Sequence, residues 1–358
     1  MRPLLALLYT SSLFAAPPLT ADQQAIADHI TENSLRGHVS FLASDALEGR
    51  ATPSPGQEIA AEYIASQFRR AGLEPVGDDG YFQTATFSAL RELKVSAATR
   101  GRLEAASQHP GKIRNVVGLL RGSDPLLRDT YVILSAHYDH IGMTDSGTDR
   151  IFNGANDDAS GTASVIEIAA ALSALPSHPK RSILFVAFFG EELGLIGSQF
   201  YAKHPVVPLE QTIADLNLEQ VGRTDATNGD MTGTASLTGF DFSDLPQRIK
   251  QAGATLGIRV YKDEKASDPF FRQSDNLPLA EAGVVSHTLG VAFDFADYHR
   301  VGDSWEKLNY RNMAAVDAAV AVGLLQLASD AAPPEWHGSI TAVKPYVEAA
   351  KKLHPDKP

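Results

Sequence analysis

The sequence predicts an α/β fold with a mostly parallel, doubly wound sheet flanked by helices. Short apolar runs of strand length recur along the chain, and stretches with helical spacing of apolar residues separate several of them. These runs are largely apolar on both faces, which is typical of strands in a mostly parallel sheet that is covered on both sides.

The elements follow in order along the chain. In 55–72, Ile59, Tyr63, Ile64 and Phe68 recur at helical spacing, and Gly72 is a typical C-terminal cap, so this segment is predicted to be an amphipathic helix. Further helices are expected at 160–174 and 245–256, and strands at 115–120, 131–136, 182–189, 213–218 and 284–289.

The N-terminus has the pattern of a secretory signal peptide over residues 1–21. Arg2 precedes an apolar stretch, and small residues and prolines follow it. The alternative is a buried N-terminal helix, which Pro17 and Pro18 would interrupt. No later run approaches the ~20 apolar residues of a membrane span. We therefore expect an exported protein, periplasmic or secreted, with one domain over 22–330 and a loosely held tail over 331–358.

Composition narrows the possible partners and chemistry. The 358 residues include 31 Lys+Arg against 43 Asp+Glu, a formal net charge of −12, which argues against a nucleic-acid partner because phosphates require a basic surface. The chain has no cysteine. This excludes a disulfide scaffold, a Cys-based zinc site and a thiol nucleophile, so a metal would have to be held by His, Asp and Glu.

Such residues follow the predicted strands. His137, Glu192 and Glu219 each come just after a strand, His299 lies beyond the fifth strand, and Asp157 stands ahead of a helix. Because the carboxyl ends of parallel strands share one edge, we expect these side chains to converge. A pair of zinc ions needs a bridging carboxylate and terminal His and carboxylate ligands. Asp157 would bridge, with His137 and Glu219 on one ion and Glu192 and His299 on the other.

Two further acidic residues suit supporting roles. Asp139 lies two positions after His137, so its carboxylate is expected on the same side, where it can accept the other N–H of the imidazole. Glu191 stands beside a ligand and is left to act as the general base that hydrolysis requires.

Each residue also has an ordinary structural explanation. Asp157 and Asp158 could cap the following helix, and Glu191 and Glu192 could form an acidic first helical turn. His137, Glu219 and His299, taken singly, could be structural or solvated. The metal site is favoured by their joint occurrence at strand ends. His287, inside an apolar strand, is interpreted as a core histidine, and the role of His140 stays open.

Taken as an ordered set, HYDH, GANDDASG, FFGEELGLIGS, NLEQVG and DYHRVGDSWEKL resemble the motifs of the clan MH zinc metallopeptidases of the bacterial dizinc aminopeptidase type, related to glutamate carboxypeptidase and glutaminyl cyclase. The resemblance extends from about residue 38 to 328. It implies a phosphorylase/hydrolase-like α/β fold, two zinc ions and release of N-terminal amino acids from peptides. It assigns His137, Asp157, Glu192, Glu219 and His299 as metal ligands and Glu191 as the general base.

The sequence departs from this pattern in two places. Many members have Asp where this chain has Glu219, so the ligand reaches one methylene further. The family often reads S-D-H where this chain has Ser274, Asp275 and Asn276; Asp275 is expected to order its loop, and Asn276 is left without a role. The short interval between Gly72 and His137 leaves no room for an inserted protease-associated domain.

The expected reaction is water attack on a peptide carbonyl, with Tyr298 a candidate hydroxyl donor to the oxyanion. Three alternatives stay open. Glutaminyl cyclases have an altered Asp loop and a Trp before the last His, related amidohydrolases and carboxypeptidases usually read G-x-x-D-M-K-G at the bridging Asp, and a non-catalytic binding protein would be expected to have lost ligands. Peptides with a free N-terminus are the expected substrates.

Overall fold

The computed structural model describes residues 18–106 and 112–355. Most of the predicted signal peptide, residues 1–17, lies outside the described residues, so that prediction stays untested. Thr20 caps the first helix, because its side chain accepts from the backbone N–H of Gln23 at 3.3 Å.

Eleven strands and twelve helices occur in the described ranges. The strands are β1 (Glu74–Pro75), β2 (Phe82–Ala85), β3 (Ile113–Leu120), β4 (Tyr131–His137), β5 (Ser182–Phe188), β6 (Thr212–Leu218), β7 (Asp225–Ala226), β8 (Gly229–Asp230), β9 (Thr234–Leu237), β10 (Arg259–Tyr261) and β11 (Val285–Gly290). The helices are α1 (Ala21–His29), α2 (Glu32–Leu42), α3 (Pro55–Arg70), α4 (Phe87–Leu90), α5 (Ala97–Ala106), α6 (Gly161–Ser173), α7 (Ile196–Lys203), α8 (Leu245–Thr255), α9 (Ser267–Phe270), α10 (Asn276–Glu281), α11 (Tyr310–Ser329) and α12 (Lys344–Leu353).

Nine strands form one sheet in the order β1, β3, β5, β4, β6, β11, β9, β10, with β2 also paired to β3. The four central strands β5, β4, β6 and β11 run parallel. On the two sides of this centre, β3 pairs antiparallel with β5 and β9 antiparallel with β11. The predicted fold class is confirmed, with antiparallel pairing confined to the flanks.

Helices cover both faces of the sheet. On one face α3, α6, α8 and α11 pack against the strands, and α1 and α2 pack on α6 and α11. On the other face lie α7 and α10, with α12 behind α10. The strands β4 and β5 at the centre of the sheet are buried along their whole length, which explains why their sequences are nearly continuous apolar runs.

The predicted elements agree with the structure to within two residues. The five strands appear as β3, β4, β5, β6 and β11, and the three helices as α3, α6 and α8. Sequence reasoning missed the short strands β1, β2, β7, β8, β9 and β10 and the helices α1, α2, α4, α5, α7, α9, α10, α11 and α12. These strands are two to four residues long, too short for a periodic pattern to be recognised.

The expectation of a loosely held tail is wrong. Val343 and Tyr346 are buried against Phe242 and Phe271, and Trp336 packs on the same cluster. The tail is held because its apolar side chains cover a hydrophobic surface next to the sheet.

One helix in the described ranges, α11, is long and apolar enough to cross a membrane. Of its most apolar window, 72% is buried inside the protein. This burial is expected of a core helix, and α11 packs against α2, α6 and α8.

Candidate metal centre

The carboxyl edge of the central strands gathers the predicted ligands. His137 is the last residue of β4, Glu192 follows β5, and Glu219 follows β6. Asp157 lies in the tight turn Ala155–Ser160 ahead of α6, and His299 comes from the loop after β11. Because the parallel strands end at one edge, residues far apart in sequence meet there, as the sequence predicted.

Asp157 stands between two groups of donors. Its Oδ1 lies 3.3 Å from His137 Nε2, and its Oδ2 lies 3.1 Å from His299 Nε2. The first group is His137, Asp157 and Glu219, whose ligand atoms lie within 4.8 Å of one another. The shared carboxylate therefore stands in the position of a bridge.

The second group contains a residue that the sequence left open. Its members are His140, Asp157 and Glu192, again with ligand atoms within 4.8 Å of one another. His299 Nε2 reaches the same carboxylates, at 3.1 Å from Asp157 and 3.2 Å from Glu192 Oε2. The Glu192 side chain is only 8% exposed.

These donors fit divalent cations on two observations. Among the described residues, both ring nitrogens of His137 and of His140 and Oε1 of Glu192 are buried without a hydrogen-bond partner. Buried polar atoms rarely lack a partner, so several such atoms in the neighbourhood of Asp157 fit a site where a cation would supply the partner. The donors are imidazole nitrogens and carboxylate oxygens, which are the ligands of zinc in proteins that use no cysteine.

The turn that carries Asp157 is fixed by two buried acceptors, of which sequence reasoning missed Asp303. Asp303 accepts from the backbone N–H groups of Asn156 at 3.0 Å and of Asp157 at 3.1 Å. Asp158 accepts from the N–H groups of Gly161 at 2.9 Å and Gln220 at 3.1 Å. Asp158 thus supports the start of α6, one of the alternatives considered above. Asp303 is 146 residues from Asp157, and no local pattern connects the two.

Arg50 was also missed, although it is completely buried behind the centre. Its guanidinium donates to the carbonyls of Tyr138 at 2.8 Å, Asn153 at 2.7 Å and Gly154 at 3.0 Å, and also to that of Leu42. Burial lowers its pKa to about 10, so it remains a cation at neutral pH. Arg50 joins the segment after α2 to both loops that carry histidine and aspartate donors.

Asp139 and Glu191 lie next to each other. Asp139 Oδ1 accepts from the backbone N–H of Glu191 at 3.1 Å. The same oxygen is 3.6 Å from His137 Nδ1, which is longer than a hydrogen bond. The carboxylate is on the expected side of the histidine, but its nearer oxygen is engaged by the Glu191 N–H.

The centre is strongly acidic. Burial would raise the pKa of Asp157, but contacts with His137 and His299 hold it well below its usual range. In Glu191, burial and the carboxylates of Glu219 and Glu192 raise the pKa well above its usual range. Burial also raises the pKa of Glu219 to about 7. A divalent cation would offset this repulsion among carboxylates.

A cavity of about 290 Å³ opens beside the centre. Asp157, Glu191 and Glu219 line one side of it, and Phe270, Phe293 and Tyr298 line others. The Tyr298 ring stacks on His299, with ring centroids 4.0 Å apart. The cavity gives a small organic molecule access to both the acidic donors and the Tyr298 side chain.

The structure also accounts for three other residues considered in the sequence analysis, Asp275, Asn276 and His287. Asp275 is buried and accepts a hydrogen bond from the Ser198 hydroxyl. Asn276 is structural, since it accepts from the Thr288 hydroxyl at 2.9 Å and donates to the Phe271 carbonyl at 3.0 Å. His287 is a core histidine as predicted: Nδ1 is 2.8 Å from the Thr238 carbonyl, Nε2 is 2.7 Å from the Ser243 hydroxyl, and burial lowers its pKa to about 4.

The model of Peptidase family M28 matches residues 115–324, more than half of the chain. The chain belongs to this family. The match begins in β3 and ends in α11, so it includes every donor of the two groups and leaves the Arg50 segment outside. The predicted resemblance to clan MH zinc metallopeptidases is confirmed.

Among curated relatives, the M28 chain is 32% identical over 245 residues to a "Probable zinc metalloprotease" of Pyricularia oryzae, covering 66% of this chain and 43% of the relative. Thus the chain spans less than half the length of that relative. It is 30% identical over 300 residues to "Leupeptin-inactivating enzyme 1" of Streptomyces exfoliatus, covering 82% of this chain and 56% of the relative.

Solved structures share the fold of this M28 chain. The LapA aminopeptidase of Legionella pneumophila superimposes with a TM-score of 0.64 at 18% identity, over 93% of this chain and 81% of that one. The glutaminyl cyclase of Porphyromonas gingivalis superimposes with a TM-score of 0.61 at 18% identity, over 83% and 98% of the two chains. A protein named as an aminopeptidase and one named as a glutaminyl cyclase therefore share this architecture.

Proposed function

We propose that the chain is a zinc-dependent aminopeptidase that removes N-terminal amino acids from peptides. The observation that carries this proposal is the convergence of buried, unpartnered imidazole and carboxylate donors on Asp157, next to a cavity lined by Glu191. A purely structural role for these atoms is disfavoured, because each would lose its hydrogen bonds to water on burial and gain none within the protein.

Two zinc ions are proposed as the cofactor. His137 and Glu219 would hold one, Glu192 and His299 would hold the other, and Asp157 would join both. Zinc held by these residues would supply a water of pKa about 7 and would polarise the substrate carbonyl. Everything else in the reaction is assigned to side chains of this chain.

Glu191 is proposed as the general base. It borders the cavity and stands outside both donor groups, so its carboxylate is free to take the proton of the attacking water. Its raised pKa favours holding that proton until it is passed to the leaving amine. The hydrogen bond from its backbone N–H to Asp139 positions the backbone of Glu191, from which the side chain extends.

Substrate binding is assigned to the same cavity. The free α-amino group of a peptide is a cation and would be drawn to the carboxylates, which selects substrates by their N-terminus. The Tyr298 hydroxyl would donate to the oxyanion that forms when water adds to the carbonyl. Phe270 and Phe293 offer an apolar surface to the side chain of the first residue.

Glutaminyl cyclase activity is the second candidate. Similarity of fold does not distinguish the two activities, because a zinc aminopeptidase of Bacillus subtilis and the Porphyromonas cyclase each superimpose on this chain with a TM-score of 0.61. The GANDDASG loop and Tyr298, in place of the Trp expected of a cyclase, favour the peptidase.

Export to the periplasm or medium is proposed from the N-terminal pattern of residues 1–21. The catalytic domain, predicted over 22–330 and extended by the packed segment with Val343 and Tyr346, is proposed to act without an inserted protease-associated domain. Mass spectrometry of the mature protein from the exporting cell tests this directly, since an intact N-terminus would contradict cleavage.

The activity is tested with aminoacyl-nitroanilides, a glutaminyl-peptide cyclisation assay and metal analysis of the purified full-length protein. We expect nitroanilide hydrolysis that is lost on chelation. Glu191→Gln should keep its zinc and lower kcat at least about a hundredfold, because the proton acceptor is removed.

Glu210→Gln is the matched control, since Glu210 is exposed and belongs to neither donor group. It should behave as wild type. Near-normal turnover by Glu191→Gln would remove that residue as the base, and cyclisation without hydrolysis would replace the proposed activity with the second candidate.

A further inference from the structure

The structure holds His140 rigidly at the metal centre. The chain leaves β4 after His137, and the His140 side chain is fully buried. The backbone N–H of His140 donates to the Arg50 carbonyl at 3.3 Å. On the other side its ring lies against Gly154, where an added Cβ would stand 2.5 Å from His140 Cγ. Only glycine at 154 leaves room for the ring in this position.

The His140 ring is directed at the second donor group. Its Nδ1 lies 2.8 Å from Glu192 Oε1 and 4.0 Å from Asp157 Oδ2. Despite the short distance, neither Nδ1 nor Oε1 makes a hydrogen bond of acceptable geometry with any described residue. Buried polar atoms normally have a partner, and two adjacent atoms without one fit a cation that both would bind.

The distances agree with a shared cation. With zinc–ligand bonds of ~2.0–2.1 Å, the donors of a tetrahedral ion lie about 3.3 Å apart. Contacts within the second group range from 2.8 to 4.0 Å, and those of His299 to the same carboxylates are 3.1 and 3.2 Å. His140 and His299 approach Glu192 through different oxygens, Oε1 and Oε2, so one does not replace the other.

We propose that His140 is a ligand of the second cation through Nδ1, in addition to Asp157, Glu192 and His299. This proposal rests on the zinc centre of the proposed function. The second cation then has four protein donors, and the first has three: His137, Asp157 and Glu219.

The unequal sets have a chemical consequence. A zinc ion with four protein ligands is coordinatively closed and tightly held, whereas one with three keeps an open position. The two cations should therefore differ in affinity, with the tighter one on the His140 side. The reacting water and carbonyl would approach from the side of His137 and Glu219, where Glu191 borders the cavity.

The first test counts imidazoles. The full-length protein is loaded with two zinc equivalents and measured by X-ray absorption at the zinc edge. The fit to the spectrum should need three imidazole ligands in total over the two ions. His140→Asn, loaded in the same way, should require two. A count of two in the wild type overturns the proposal, and this measurement does not depend on the folding of any variant.

The second test measures affinity, by dialysis of the full-length protein against zinc buffered with graded chelator. Wild type should retain one zinc more tightly than the other. In His140→Asn, the tighter zinc should be lost at least about a hundredfold more readily, since even outer partners of ligands contribute 10–100-fold. His178→Asn, at an exposed histidine, should match wild type.

The outcomes separate this proposal from the proposed function. Two zinc ions with unchanged affinities in His140→Asn overturn the ligand role while leaving the zinc centre intact. A weakened affinity with an unchanged imidazole count also overturns it, because His140 would then only position Glu192. A wild-type protein that retains no zinc overturns both.

Discussion

Two buried polar regions lie a few residues apart on the same strand, and they differ in how their atoms are satisfied. Asp215, inside β6, accepts from the Ser135 hydroxyl at 2.8 Å and from the Ser286 hydroxyl at 2.6 Å. Glu219, at the carboxyl end of β6, lies instead with His137 and Asp157, and both ring nitrogens of His137 are unpartnered among the described residues.

The comparison shows that burial and acidity do not identify a ligand. Burial raises the pKa of Asp215 to about 7, as it does for Glu219. Both residues lie on one face of the strand, because side chains alternate and the two are four positions apart. The difference lies in their neighbours: β4 and β11 offer hydroxyls to Asp215, and the strand ends offer imidazoles and carboxylates near Glu219. A cluster of ligand atoms without hydrogen-bond partners, more than burial, indicates where a cation is expected.

The largest expected effect comes from the shared carboxylate. Asp157→Asn should release both zinc ions and lower activity at least about a thousandfold, since bound cations contribute several kcal/mol to the transition state. Zinc equivalents and turnover are measured on the same sample. Asp215→Asn is the matched control, and it should keep both ions because its carboxylate is satisfied by hydroxyls. Two zinc equivalents in Asp157→Asn would contradict the bridge.

A smaller effect is expected at Arg50, whose guanidinium is hydrogen-bonded to the loops that carry candidate metal ligands. Arg50→Met should lower the free energy of unfolding by about 3 kcal/mol, because buried carbonyls of both loops lose their donor. It should also weaken zinc retention, since those loops carry His140 and Asp157. Urea unfolding measures the first effect and dialysis the second.

Arg311→Met is the control for this prediction. Arg311 is exposed on α11, so its removal should change the free energy of unfolding by no more than about 0.5 kcal/mol. Equal losses in the two variants would show that Arg50 has no special role in holding the loops.

The smallest effect is expected where a buried carboxyl lacks partners but has no surrounding donor group. Asp317, in α11, is fully buried, and neither of its oxygens has a hydrogen-bond partner within the described ranges. Burial, with the nearby Glu167 carboxylate adding to it, raises its pKa well above the usual range. Asp317→Asn should raise the free energy of unfolding at pH 8 by about 1 kcal/mol, because the folded state no longer has to take up a proton to keep this buried group neutral.

The pH dependence gives the sign of this effect. The folded state binds the Asp317 proton more tightly than the unfolded state, so the native protein is destabilised as pH rises above the unfolded pKa of about 4. The gain from Asp317→Asn should therefore shrink as pH falls from 8 towards 4. Urea unfolding across this range checks it, with the exposed Asp129→Asn as control. A gain that is constant with pH would contradict proton uptake by the buried carboxyl as its cause.

Much of the fold could be predicted from the sequence. The strands β4 and β5 are buried on both faces and are nearly continuous apolar runs, and β3, β6 and β11 are apolar enough, despite a few buried polar residues, to be recognised by their length and β-branched or aliphatic content. The edge strands could not be recognised, because they are short and gain their structure from a neighbour's backbone. The tail was misjudged because few of its side chains, among them Val343 and Tyr346, are buried, and its composition is rich in Pro and Lys.

The candidate site divides in the same way. His137, Asp157, Glu192, Glu219 and His299 were singled out because parallel strands end at one edge, a rule of the fold class that applies without coordinates. Their roles as ligands, and that of Glu191 as base, remain proposals. Asp303 and Arg50 were missed because each acts on backbone atoms about a hundred residues or more away, and such a contact has no local sequence pattern.

By itself, the sequence determined the layered α/β architecture, the exclusion of cysteine chemistry and the set of residues at the strand ends, because these depend on local periodicity and on which side chains are present. Only the tertiary structure decided that His140 faces Glu192, that Asp139 Oδ1 is engaged by the Glu191 N–H, and that Asp215 is satisfied while the His137 ring is not. Hydrogen bonds depend on atomic positions to within a fraction of an ångström, and those positions are set by the packing of the whole chain.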